Sequence, residues 1–189
     1  MTKFGTPDRR DATVRQVVEA LAARLGQASV VEACGALLDG APPETCTEVA
    51  VGLTGHGRTI EELRESGFRD YWWPTWGARG LLYVWSPKVA PAVVRGIAHE
   101  HWRPAEMCLK VAARRELAEA ADSAVPLASH DLPRVRASAL RTLGRVGDTE
   151  HVPPVRSALG DTDSQVRRAA ALALERMVAR LDLPGEVLP

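Results

Sequence analysis

Long apolar runs are missing from this chain of 189 residues. No stretch approaches the roughly 18 residues that a membrane span needs, so no membrane contact is expected. The opening Met1-Thr2-Lys3-Phe4-Gly5 has no apolar signal core and soon turns polar. Cysteine is scarce, and Cys34, Cys46 and Cys108 are an odd set that cannot pair completely. That favours a reducing compartment, and the expected location is the cytoplasm. Charge of one sign is not in excess: 24 basic groups face 24 acidic ones, so the whole chain is not a polycation. Phe and Tyr number two each. GxSxG, P-loop and dinucleotide motifs are absent, which removes the enzyme classes that rely on them. His99-Glu100-His101 does not read as a metal site, because i and i+2 do not share a helical face. No cofactor and no metal are expected.

What is present is a repeat. Leu132–Gly144 aligns with Asp163–Glu175, one period on: Val135 meets Val166, Arg136 meets Arg167, Ala139 meets Ala170 and Leu143 meets Leu174. One period earlier, Ala139 meets Cys108 and Leu140 meets Leu109. The period is about 31 residues, in the range of helical repeat arrays. Apolar positions at i, i+4, i+7 and i+8 make each block helical. Each is followed by a shorter apolar segment: Lys88–Ala98, Leu117–Ser129 and Glu150–Leu159. Pro91, Pro126 and Pro153 lie near the starts of those segments, where a missing N–H costs little. Asp131, Asp161 and Asp163 are candidate caps for the longer helices. Two alternating helices at a fixed period, with no strand pattern, predict an all-α fold, an α-solenoid. Four further helices are expected over 12–25, 28–38, 45–54 and 58–66, broken at Gly40-Ala41-Pro42-Pro43 and Gly55-His56-Gly57.

The run Val135-Arg136, Ala139-Leu140, Leu143-Gly144, Gly147-Asp148, Val152-Pro153, Ala158-Leu159 and Asp161 resembles a HEAT repeat. It is most similar to the subtype of phycobilisome chromophore lyases, strongest over Leu132–Leu181 and weakest over Trp72–Ala98. The resemblance implies a right-handed stack of antiparallel helix pairs at the period just read, longer helices on the concave side. The expected organisation is one continuous domain: a frayed 1–11, degenerate helical repeats over 12–66, HEAT-type repeats over 67–181 and a tail over 182–189. It implies binding or scaffolding far more often than catalysis. Some relatives hold a bilin, and some similar helical-repeat proteins are alkylpurine DNA glycosylases.

A wheel for 133–145 puts Val135, Ala139, Thr142, Leu143 and Val146 on the core side, with Arg134, Ala137, Ser138, Arg141 and Arg145 opposite. Stepping through the repeat extends the opposite side to Trp72 and Arg103, to Trp76 and Met107, to Arg79, Lys110 and Leu172, and to Tyr83, Arg114 and Arg176. The candidate binding surface is therefore Trp72, Trp76, Arg79, Tyr83, Arg103, Lys110, Arg114, Arg134, Arg141, Arg145 and Arg176. Residues 1–70 hold 8 basic and 11 acidic groups, whereas residues 71–189 hold 16 and 13. Rows of cations with aromatics at one end suit a protein partner; a nucleic acid or other polyanion is the alternative. An enzymatic reading, implied by the glycosylases, uses Glu106 to stabilise an oxocarbenium-like sugar while Trp76 stacks on the base. The resemblance implies that Arg136 and Arg167 bond turn acids, with Asp131 and Asp161 as candidates, so both arginines are set aside. Trp73 and Cys108 read as core, and Gly77 and Gly80 as allowing close packing against the tryptophans.

Overall fold

The structure, a computed structural model, describes residues 12–185. The expected frayed terminus at 1–11 and residues 186–189 of the tail lie outside the described residues. All regular structure among the described residues is helical. No single helix there is long and apolar enough to cross a membrane. The chain divides into two compact units, with the boundary between Val89 and Ala90.

The first unit holds α1 (Val14–Leu25), α2 (Gln27–Leu38), α3 (Thr47–Thr54), α4 (Ile60–Glu65) and α5 (Trp72–Gly80). Local sequence sets these ends. Thr13 and Gln16 form a capping box at α1, and Thr59 and Glu62 form another at α4. Gly26, at φ 86°, stops α1 and lets α2 begin at the next residue. The core contains Val18, Val30, Cys34, Leu37, Leu53, Leu63 and Trp73, all nearly inaccessible.

The aromatic helix α5 packs on α2 and α3 inside this unit. The repeat pattern groups it instead with the helices that follow. Its glycines explain the packing, and they serve a different neighbour from the expected one. A Cβ on Gly77 would sit 2.7 Å from the Cys34 carbonyl oxygen, and one on Gly80 would sit 2.7 Å from Cys34 Sγ. The glycines therefore let α5 lie against α2, not against the tryptophans. Burial pushes the Cys34 thiol up to about 12, with the charge of Cys46 adding to it, so Cys34 is a packing residue.

In the second unit, α7 (Trp102–Arg115), α9 (Pro133–Val146) and α11 (Ser164–Leu181) pack side by side. The shorter α6 (Ala90–Ile97), α8 (Ala121–Ala124) and α10 (Val152–Ser157) pack behind them, extended by 3-10 turns. The longer helices begin at Trp102, Pro133 and Ser164, evenly spaced along the chain. Pro91 and Pro153 are second residues of their helices, and Pro126 opens a 3-10 turn. Cys108, Ala139 and Ala170 are completely buried at matching positions. Burial drives the Cys108 thiol far above its ordinary range.

Ala137 and Ser138 correct the helical wheel: both are buried, at 2% and 3% exposure. A helix in the middle of a row has neighbours on two flanks, so only a narrow strip stays in water. Small residues make this possible. A Cβ on Gly144 would lie 2.6 Å from Ala173 Cα, which is backbone of the adjacent helix. Gly144→Ala is expected to push α9 and α11 apart and cost about 1–3 kcal/mol, read by urea unfolding. A neutral or stabilising result would show that the two helices separate freely.

The junctions before α7, α9 and α11 use one device. His99 Nδ1 accepts the His101 N–H at 2.9 Å, His130 Nδ1 accepts the Leu132 N–H at 2.9 Å, and Asp161 Oδ1 accepts the Asp163 N–H at 2.8 Å. His101 Nδ1 also accepts the Arg103 N–H at 3.2 Å and caps α7. Asp163 caps α11 by accepting from Gln165 and Val166. Asp131, the expected cap of α9, does not serve: Leu132 occupies the cap position without a side-chain bond, and His130 takes the nearby donor instead.

Candidate binding surface

The eleven candidate side chains fall into both units. Trp72, Trp76, Arg79 and Tyr83 belong to the first; the other seven belong to the second.

In the first unit, α5 gathers an aromatic cluster. Phe68 and Trp73 have ring centroids 4.6 Å apart, and Trp72 and Trp76 6.4 Å apart. The Arg79 guanidinium stands 4.9 Å from the Trp76 centroid, and the Arg15 guanidinium 5.6 Å from that of Tyr83. Trp76 does not stand on the open face that the wheel gives it. It is half-buried and lines a pocket of about 360 Å³ with Val14, Val17 and Leu53, so α1 and α3 approach it. Trp73 is buried, as its alignment with core positions implies. A wider cleft of about 1150 Å³ lies beside α1, α3, the 55–59 loop and the start of α4, with Val17, Leu21, Val51 and Ile60 among its walls. None of the candidate residues lines that cleft.

In the second unit, α7, α9 and α11 carry the cations as rows. Arg103 and Arg134 stand at matching positions of α7 and α9, Lys110 and Arg141 likewise, and Arg114, Arg145 and Arg176 at matching positions of all three. The α7 side of this face holds a buried carboxylate. Glu106 is only 4% exposed. Arg134 Nε and Nη2 each donate to its Oε1 at 3.2 Å, and Nη2 also donates to Oε2 at 3.0 Å. Lys110 Nζ, one turn along the same helix, lies 2.8 Å from Oε1. A buried carboxylate needs such partners, because desolvation of an unpaired charge costs several kcal/mol. Lys110 and Arg134 are thereby partly neutralised. Arg145 pairs with Glu116 at 3.2 Å on the open surface.

Trp102 joins the same cluster. The Arg103 and Arg134 guanidinium carbons lie 4.5 Å and 4.8 Å from its ring centroid. The repeat pattern passes over Trp102, because it sits where the later repeats have Pro133 and Ser164, positions with no aromatic. The available signal is an arginine directly after it and another at the matching place in the next helix.

Arg136 bonds a turn acid, as the resemblance implies, whereas among the described residues Arg167 reaches only turn carbonyls and the Asp131 carboxylate holds neither arginine. Arg136 Nε and Nη2 donate to the two carboxylate oxygens of Asp161, both at 2.8 Å, and its Nη1 donates to the carbonyls of His130 and Asp131. Arg167 Nη1 donates to the carbonyls of Asp161 and Thr162 at 2.8 Å and 3.0 Å. The rings of His99 and His101 are likewise engaged by backbone N–H groups.

The family model for HEAT repeats matches residues 121–185. It spans α8 to α11, the part of the chain where the sequence resemblance is strongest, and it supports a HEAT-repeat protein. HEAT repeats typically serve as scaffolds for protein–protein interaction. No curated protein and no solved structure matches the chain.

Proposed function

We propose that this chain is a non-enzymatic HEAT-type binding or scaffold module, a right-handed α-solenoid with a step of about 31 residues, of the subtype seen in phycobilisome lyases. Its working surface is the outward face of α7, α9 and α11, and its partner is a protein. The observation that carries the choice of partner is Glu106. A surface built to follow a phosphate backbone has little use for a carboxylate holding two of its cations. With Arg145 paired to Glu116 as well, the rows are a mixed polar surface with discrete free arginines, as protein interfaces often present. The pairing supports Glu106 as an internal counter-ion, not as the carboxylate of a glycosylase. Trp72, Trp76, Arg79 and Tyr83 are left to the packing of the first unit.

A photo-crosslinking residue at position 141 is expected to capture protein from the native extract, whereas one at position 156 on α10 captures far less. Fluorescence anisotropy against single- and double-stranded DNA and RNA is expected to show no micromolar binding at physiological salt. Tight binding with a log–log salt slope of about −3 to −6, lost in Arg141→Glu, would overturn the protein-partner reading in favour of nucleic acid.

A further inference from the structure

Pairing divides the cations of the second unit. Lys110 and Arg134 are held by Glu106 and Arg145 by Glu116, while Arg103 lies over Trp102. Arg114, Arg141 and Arg176 have no partner among the described residues. They stand on three adjacent helices of one face, so their guanidinium groups present unused bidentate forks to the same side.

The same face carries the one large hydrophobic side chain that is exposed among the described residues. Leu172 is 42% exposed, and it occupies on α11 the position that Arg141 occupies on α9 and Lys110 on α7. Adjacent packed helices are about 8–10 Å apart, so Leu172 and Arg141 are neighbours across the α9–α11 seam. The seam lies on a known side of Leu172. Ala173, next in sequence, is the residue that meets Gly144 of α9. Glu175 projects about 60° the other way round the helix, away from α9. Arg176, one turn on from Leu172, projects toward the seam. An apolar side chain is thus flanked by unpaired arginines on the seam side, and Glu175, the exposed carboxylate of α11, lies on its far side.

We infer that the α9–α11 seam, extended to Arg114, docks an acidic peptide segment of the partner protein, with carboxylates on Arg114, Arg141 and Arg176 and one aliphatic side chain over Leu172. This rests on the protein-partner reading and narrows it to a ligand chemistry. Separate carboxylates along an extended or helical peptide can match discrete arginines, and the apolar contact supplies what a nucleic acid backbone lacks.

The test uses the full chain and three fluorescein-labelled probes: a short glutamate-rich peptide with one central leucine, the same peptide with serine instead, and oligo-dT. The leucine peptide is expected to bind with micromolar affinity that falls as salt rises, and about threefold to tenfold more tightly than the serine peptide. Arg141→Glu is expected to weaken it at least about tenfold. Leu172→Ser should remove the preference for leucine while leaving the serine peptide unchanged. Arg156→Glu on α10, with the same change in net charge, should stay within about twofold of the parent. Circular dichroism melts establish that each variant is folded. The inference is overturned if neither peptide binds, if Arg141→Glu and Arg156→Glu weaken binding equally, or if oligo-dT binds more tightly than both peptides. Failure of the peptides together with protein crosslinks from position 141 would sink the acidic ligand and leave the protein-partner reading intact.

Discussion

Arg136→Ala is expected to destabilise the second unit by about 3 kcal/mol, measured by urea unfolding. Removing one partner of a buried ion pair costs about 3–5 kcal/mol, and the side chains of Arg136 and Asp161 keep 14% and 12% exposure, which places the loss at the low end. The substitution also takes a donor from the carbonyls of His130 and Asp131. For a unit of this size such a loss lowers Tm by about 12–20 °C. Arg136→Lys keeps the charge without the planar fork and should recover only part of it. A pH signature identifies the cause. The hydrogen bonds from Arg136 hold the Asp161 carboxyl below its ordinary range, aided by the Asp163 N–H and the charges of Arg136 and Arg167 against the opposing effect of burial. A carboxyl depressed in the fold contributes stability that is complete above its ordinary value of about 3.9 and is lost as pH falls through the folded value. The parent should therefore lose stability on acidification below about pH 4, and Arg136→Ala should lose less over the same interval. Parallel acid limbs in the two proteins would show that the pair contributes nothing of this kind.

The second large effect is expected at milder acidity. His101 must be neutral at Nδ1 to accept the Arg103 N–H at the start of α7. Burial lowers its proton affinity, the charges of Arg103 and His99 lower it further, and Glu100 opposes them. A histidine depressed in the fold gives stability that is complete above its ordinary value of about 6.5 and declines as pH falls toward the folded value. Protonation also sets a cation at the N-terminal end of a helix dipole. The expected loss is about 1 kcal/mol between about pH 7 and pH 5, the size of one helix cap. His101→Asn keeps an acceptor at that position without the titration. It should match the parent near pH 7.5 and hold more of its stability near pH 5. If His101→Asn and the parent follow the same slope across that range, the cap is not the titrating element.

The helices are legible because their ends are written locally. The four helices expected over 12–25, 28–38, 45–54 and 58–66 lie within two residues of the observed ends, and capping boxes at Thr13 and Thr59 and the turn at Gly26 fix those ends. The all-α class and the match of Cys108 with Ala139 follow from periodicity. What escapes the sequence is mostly a matter of partners far apart in the chain. Glu106 and Lys110 read as neighbours one turn apart, but Arg134 reaches Glu106 from the next long helix. A wheel sorts residues into inside and outside, so it cannot show that Ala137 and Ser138 are covered by a second flank. Gly77 and Gly80 announce a close approach without naming α2 as the helix that makes it. The alignment of His99 with His130 in the turns is visible, and Asp161 completes the series at the same step. Taken as a shared need for an acceptor, those three residues disclose the junction device.

That device carries an evolutionary consequence. The carboxylate at the third junction answers two demands, the Asp163 N–H and the Arg136 guanidinium, whereas the imidazole at the second follows a helix that offers Ala105 where α9 offers Arg136. Substitutions should therefore not drift independently along the chain. Among descendants, a change at 161 is tolerated when 136 changes with it and the new residue still accepts the Asp163 N–H, as Asn does, while 130 can exchange His for Asn alone. Selection would read positions 136 and 161 as a single heritable character, and position 130 as a separate one.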